Sequence, residues 1–250
     1  MTRQPHSHSV TRIDPAVGAA QLSEALGDFE FDPRQSYADQ VHVLLRDAIV
    51  RGLLPPGTPL SEAAISSVVG VSRTPVREAL RMLMQESLVN VFPQAGTLVS
   101  PVRLGLLHEG RFVRRALECE NLVELVKVVT PEQIAELEDL LARQRQVLDA
   151  GRPNEFFALD EALHRRLLEF MGRERIWTLL QAVKLHHDRV RWLFVAHDSE
   201  RAYLEHCAIV ACLAARDLAG LLQAMQAHVN SVESRLDGLR SSAPDGYLTD

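Results

Sequence analysis

The sequence predicts a mainly α protein in two parts: a small three-helix unit closed by a β hairpin, then an antiparallel bundle of about six helices. Three observations carry this. Apolar residues recur at helical spacing from Tyr37 onward. Two short strand-like runs, Leu88–Phe92 and Thr97–Ser100, are joined by Pro93, Gln94, Ala95 and Gly96. After Pro101 the strand signals cease. With 250 residues, 46% of them apolar, the chain is long enough for two cores.

Each element has a local reason. Residues 1–35 lack a sustained period and read as a mostly flexible arm, with a short helix around Ala19–Leu26. Val41, Leu44, Leu45, Ala48 and Ile49 make one apolar stripe, which Gly52 and Pro55-Pro56-Gly57 end. Ser61 is an N-cap for a second helix that reaches Val69, where Gly70 breaks the chain. A third helix begins near Thr74, read as its N-cap with Pro75 at the first helical position, and ends at about Glu86. Three helices and a hairpin within residues 36–102 form a winged helix-turn-helix. The expected bundle, residues 103–240, has helices at 104–128, 131–150, 153–171, 173–196, 199–215 and 218–240. Gly151-Arg152-Pro153 and Gly172 mark breaks, and Asp217 is an N-cap. Residues 241–250 read as a tail.

Composition excludes several classes. No apolar run reaches the roughly 18 residues of a membrane span. Met1–Val10 is polar, unlike a secretory signal. Three cysteines, Cys119, Cys207 and Cys212, are too few for a disulfide framework. A soluble, cytoplasmic protein is expected. The net charge of −6 argues against indiscriminate coating of nucleic acid. Residues 36–103 nevertheless carry a net +1, and their arginines are not scattered. Arg73, Arg77 and Arg81 are spaced by four on one face of the third helix, while Val76, Ala79, Leu80 and Leu83 occupy the other. Ser72 and Thr74 stand at its start, where hydroxyls and free N–H groups hold phosphate. Arginine suits guanine because its fork matches O6 and N7. The alternative is a solvated basic face.

The run Val71-Ser72-Arg73-Thr74-Pro75-Val76-Arg77-Glu78-Ala79-Leu80-Arg81, with Leu53-Leu54-Pro55-Pro56-Gly57 and Leu60-Ser61-Glu62 before it, resembles the DNA-binding head of the GntR family of bacterial transcription regulators. The resemblance implies that Arg73 and Arg77 contact DNA and that the wing tip near Gly96 lies by the minor groove. Two positions depart from the family pattern. Ala64 stands where some members carry an arginine, and Ser87 where glycine is usual.

The bundle holds a second signal. Phe156, Phe157, Asp160, Leu163, His164, Leu167 and Leu168 form one helical stripe, with Asp160 and His164 one turn apart. Tyr203, His206, Val210 and Leu213 form another; Leu221, Met225, His228, Val229 and Val232 form a third. A polar group on an apolar stripe costs on the order of 1–3 kcal/mol if left without a partner. One carboxylate and three imidazoles suit a first-row divalent ion. Hydrogen-bonded core histidines are the alternative, and sequence spacing does not show that the three stripes meet. This region is similar to the all-helical ligand-sensing FCD domain of the FadR branch of the same family. That resemblance implies metal ligands at Asp160, His164, His206 and His228. The ion is zinc in the first reading, nickel or manganese in the second, with a small organic acid at its open positions. It also implies an effector-facing arginine at Arg114, followed by Leu117 and Glu118.

Weaker features are His186-His187 and His197, of which adjacent rings point apart; Arg189 and Arg191, read as solvated or salt-bridged ahead of assisting an anionic ligand; and Glu161, half of a di-iron motif whose second half is absent. Cys207 and Cys212 read as packing residues. The first functional reading is a ligand-responsive repressor, a homodimer on a near-palindromic double-stranded operator. The rival is a metalloenzyme acting on small carboxylates with an accessory DNA-binding head, which lacks an evident general base. A third is a dimerisation module with neither metal nor ligand.

Overall fold

The computed structural model describes residues 22–27, 29–93, 96–233, 236, 238, 240 and 246–250, with backbone alone at 194–197. The chain divides into two compact units between Pro101 and Val102.

The first unit contains α1 (Tyr37–Val50), α2 (Glu62–Val69), α3 (Arg73–Gln85), β1 (Val89–Phe92) and β2 (Gly96–Val99). Ser36 Oγ accepts the Asp39 N–H at the start of α1, and Ser61 Oγ does the same for Ala64 in α2. Gly70 closes α2 at φ 72°, a conformation in which a Cβ is strained. Val41, Leu45 and Ile49 of α1, Ile65 of α2 and Val76, Ala79 and Leu83 of α3 are buried. Each large apolar side chain removed from water contributes about 1.5–3 kcal/mol. α3 starts earlier than its Thr-Pro pair suggests: Arg73 is the first helical residue and Ser72 the N-cap. Pro75 then sits in the first turn, where its missing N–H leaves no helical bond unmade.

The hairpin pairs Val89 with Val99 and Phe92 with Gly96, so β2 begins at Gly96 itself, at φ 81°. Gln94 and Ala95 of the expected turn lie outside the described residues. Ser87 takes φ 61°, the left-handed region that glycine fills without strain, and its carbonyl accepts the Ser100 hydroxyl. Leu22–Leu26 is helical, while residues 19–21 of the expected short helix lie outside the described residues. Gln40 of α1 accepts the Asp32 N–H at 2.8 Å and donates to the Asp32 carbonyl at 2.9 Å.

The second unit contains β3 (Val102–Arg103), α4 (Leu104–Val128), α5 (Pro131–Asp149), α6 (Pro153–Glu169), α7 (Glu174–Val183), α8 (Leu185–Ala214), α9 (Leu218–Asn230) and β4 (Leu248–Thr249). Thr130 and Gln133 form a reciprocal capping box ahead of α5, and Asp217 caps α9 through the Gly220 N–H. Three boundaries differ from those the sequence predicts. The last helix, expected to reach residue 240, ends as α9 at Asn230, with Ser231 as its C-cap. The tail contains β4, which pairs in parallel with β3, Val102 opposite Leu248. Tyr247 and Leu248 pack there on a small cluster with Val102, Leu107 and Val190, an apolar pair too short to show a period. The break expected between residues 196 and 199 falls instead at Lys184, between α7 and α8. Lys184 is fully buried, and its Nζ donates to Glu161 at 2.6 Å and to Asp188. Gly110 of α4 faces this break so closely that a Cβ would come within 2.6 Å of the Val183 carbonyl oxygen. No helix among the described residues is long and apolar enough to cross a membrane.

Leu122 and Leu125 of α4, Leu163 and Leu167 of α6, Ile209 and Leu213 of α8, and Leu221, Met225 and Val229 of α9 form one apolar core. The polar site continues these same rows: Glu118 lies one turn before Leu122, His164 beside Leu163, and His206 one turn before Val210.

Candidate functional site

Ser72, Arg73, Thr74, Arg77, Arg81 and Gly96 are all exposed, while the opposite face of α3 is buried. The Arg77 guanidinium donates to both Glu62 oxygens of α2, Nε to Oε1 at 2.9 Å and Nη2 to Oε2 at 2.8 Å. That pairing holds the Glu62 carboxyl below its ordinary range. Nothing in the sequence pattern discloses this pair. Glu62 follows the N-cap of a different helix, and no fixed spacing joins it to Arg77. Ala64 of α2 is half-buried and adds no charge.

In the second unit the three polar stripes converge. Asp160 and His164 on α6, His206 on α8 and His228 on α9 are buried, and one ligand atom from each lies within 4.8 Å of all the others. His164 Nε2 is 3.0 Å from His228 Nε2, and His206 Nε2 is 3.3 Å from Asp160 Oδ1. Each imidazole is oriented through its other nitrogen. His164 Nδ1 lies 2.6 Å from Glu118 Oε2, His206 Nδ1 2.9 Å from Gln144 Oε1, and His228 Nδ1 2.9 Å from Glu205 Oε2. All three partners are acceptors there. The Gln144 amide is fixed as one because its Nε2 donates to the Leu159 carbonyl at 3.2 Å. Hydrogen bonds therefore place the proton on Nδ1 of His206 and of His228; His164 Nδ1 stands close to the Glu118 carboxylate without the angle of a hydrogen bond, and the Nε2 atoms of all three rings gather with Asp160.

The electrostatics agree. Burial pushes His206 and His228 down, His228 the further because His206 and His164 stand beside it. Neutral imidazole is the form that ligates metal. Burial alone would raise Asp160, but Arg191, His206 and His164 overcome it and hold the carboxyl well below its usual range. Burial likewise opposes the charge on Glu118, and Arg114 and His164 more than reverse it. His206 Nε2 is buried and makes no hydrogen bond. An unpartnered lone pair, two others at 3.0 Å and an ionised carboxylate form a donor set that a divalent cation satisfies. Such outer partners raise ligand basicity and fix ring orientation.

Arg114 lies on α4 at this centre, its Nε donating to Glu118 Oε1 at 2.7 Å and its Nη2 3.4 Å from His164 Nε2. Arg191 binds Asp160, Glu161 and Asp188 together. A partly open cavity adjoins the centre; Arg114, Asp160, His187, Arg191 and His228 belong to its lining, with Phe156 and Phe157 among its apolar residues. Of the adjacent pair, His187 lines this cavity, whereas His186 Nδ1 accepts the Arg103 N–H at 3.1 Å. The side chain of His197 lies outside the described residues. Glu118, Gln144 and Glu205 were not singled out as site residues in the sequence. Glu118 and Gln144 were the findable ones, as polar residues on buried faces of α4 and α5.

Comparison with known proteins covers both units. Residues 37–99 match the family described as "Bacterial regulatory proteins, gntR family", and residues 111–231 match the FCD domain. The chain is 36% identical over 213 residues to an HTH-type transcriptional regulator in an unstable DNA locus of Streptomyces ambofaciens, covering 84% of this chain and 89% of that one. It is 31% identical over 220 residues to the HTH-type transcriptional repressor RspR of Escherichia coli, covering 87% and 96%. The solved structure of E. coli McbR/YncC has the same fold, with TM-score 0.67 at 21% identity over 84% of this chain and 100% of the other. With its head, its helical domain and these relatives accounted for, the chain belongs to the GntR family, in its FadR-like, FCD-containing branch, and is a DNA-binding transcription regulator rather than an enzyme.

Proposed function

We propose that this protein is a cytoplasmic repressor whose helical domain binds a divalent metal and a small organic acid, and whose operator affinity changes when the acid binds. The observation that carries the reading is the convergence of three buried imidazoles and the Asp160 carboxylate, with His206 and His228 each fixed by its own acceptor and His164 beside the Glu118 carboxylate. Asp160, His164, His206 and His228 would hold the ion, zinc first and nickel or manganese as alternatives. A bound ion of this kind supplies Lewis-acid positions for a carboxylate. Arg114, already at the centre, has guanidinium donors for the same anion.

At the DNA, Arg77 exchanges Glu62 for a guanine edge or a phosphate, Arg73 follows one turn earlier, and Ser72 and Thr74 take phosphate at the start of α3. Gly96 opens the second wing strand beside the minor groove. Two copies of the head in a homodimer address two half-sites of a near-palindromic operator. Regulation requires the acid to bind the DNA-bound and free conformations with different affinity.

The test is fluorescence anisotropy of the full chain on double-stranded fragments from upstream of its own gene. The measurement is made with zinc, with a chelator, and with a panel of small acids. Specific binding that one acid weakens only in the presence of metal is the expected result. Equal affinity for every fragment, or an acid response untouched by chelation, contradicts the reading.

A further inference from the structure

A network of buried charges stands behind Asp160, and the ligand set alone does not account for it. Lys184, at the break between α7 and α8, donates from Nζ to Glu161 Oε2 at 2.6 Å and to Asp188. The same two carboxylates hold Arg191, whose Nη1 donates to Glu161 Oε1 at 2.9 Å and to Asp188 Oδ1 at 3.1 Å. The guanidinium lies over the Phe157 ring, 4.5 Å from its centroid. Fixed on these sides, Arg191 donates through Nη2 to Asp160 Oδ2. Burying five charges is costly even when they are paired, and an apolar core of similar volume is often at least as stable. The use of the network therefore lies in what it orients.

Both oxygens of Asp160 are within reach of the centre. Oδ1 is 3.3 Å from His206 Nε2, and Oδ2 is 4.0 Å from His164 Nε2. A carboxylate so placed can hold an ion through one oxygen or through both. Arg191 decides between the two modes. An oxygen that accepts a charge-assisted hydrogen bond from a guanidinium is the poorer donor to a second cation, which leaves Oδ1 as the ligand atom. The four ligand residues then supply one atom each. If Oδ2 joined, it would take a position at the ion that a group from outside the protein could use.

We infer that Arg191, anchored to Lys184 through Glu161 and Asp188, is a positioning residue that makes Asp160 a one-oxygen ligand. The inference rests on the proposed metal centre and assigns the residues that set its coordination. It also gives the helix break at Lys184 a purpose, since the break puts a buried cation beneath the two carboxylates that hold Arg191.

The experiment uses the full chain, cleared of metal with a chelator and loaded with cobalt(II), whose visible spectrum follows the number and geometry of its ligand atoms. Arg191→Met removes every donor and keeps a long unbranched side chain. Its spectrum per bound ion should shift and weaken as Oδ2 joins the ion. Arg191→Lys, which can still donate to Oδ2, should retain most of the parent spectrum. A part in folding alone would lower the urea midpoint of Arg191→Met and leave the spectrum per bound ion identical to that of the parent; that result would overturn the inference. The crystal structure of the zinc-loaded parent decides the same question without a variant. Oδ1 on the ion with Oδ2 on Arg191 is expected, and both oxygens on the ion would overturn the inference while leaving the metal centre standing. A parent that takes up neither cobalt nor zinc sinks the metal centre and the inference together.

Discussion

Arg77 and Arg114 each bind a glutamate through two nitrogen–oxygen contacts, yet the Arg77 side chain is 69% exposed and Arg114 only 3%. Their partners differ in the same way, Glu62 at 34% and Glu118 at 4%. An exposed pair is screened by water and salt, so its arginine can leave one anion for another at little cost. A buried pair cannot. Taking one member away leaves a charge with neither partner nor solvent. The head thus carries a contact that is exchangeable, as a DNA reader must be. The bundle carries one that is fixed, as a site requiring a preset geometry must be.

The largest effect that would sharpen this contrast is at Glu118. Its carboxylate neutralises Arg114 and stands at His164 Nδ1. Glu118→Ala should cost roughly 3–5 kcal/mol in urea unfolding of the chelator-treated chain. A loss below about 1 kcal/mol, the scale of a surface pair, would erase the distinction between the two arginines.

Next comes the outer layer of the centre. Gln144→Leu removes the acceptor that keeps the His206 proton on Nδ1. Zinc affinity, measured by competition with a chromophoric chelator, should fall about tenfold to a hundredfold. Unchanged affinity would mean that His206 is oriented by packing alone.

On the exposed side, Arg77→Ala should weaken operator binding about tenfold to a hundredfold if Arg77 reads a base, with preference relaxed at one position. A uniform loss on all sequences, with a shallower salt dependence, assigns it to a phosphate instead. Glu62→Gln is the smallest effect and goes the other way. Releasing Arg77 should tighten binding by about twofold to fivefold at low salt and by less at high salt. Weaker binding in that variant would show that Glu62 positions Arg77 rather than competes for it.

The same contrast explains what the sequence disclosed. The exposed arginines are legible because one helix carries all three at a spacing of four, and the apolar residues opposite them confirm the face. Asp160 and His164 are legible for the same reason. His206 and His228 are visible only as polar interruptions of apolar stripes, and their meeting depends on how α6, α8 and α9 pack. Gln144 and Glu205 come from different helices, with no sequence spacing to connect them to the rings they hold. The break at Lys184 was hidden for a further reason. Lysine reads as a surface residue, and only the opposing Glu161 and Asp188 make its burial tolerable. Ser87 shows a local rule overridden, since it takes a left-handed conformation where a glycine would be unstrained.

The most direct measurement is the metal stoichiometry of the full chain after dialysis against zinc, beside that of His206→Ala. The account predicts about one equivalent per chain in the parent and a small fraction of that in the variant, with operator binding in the absence of acid retained. No stoichiometric metal in the parent, or full occupancy in His206→Ala, would contradict it.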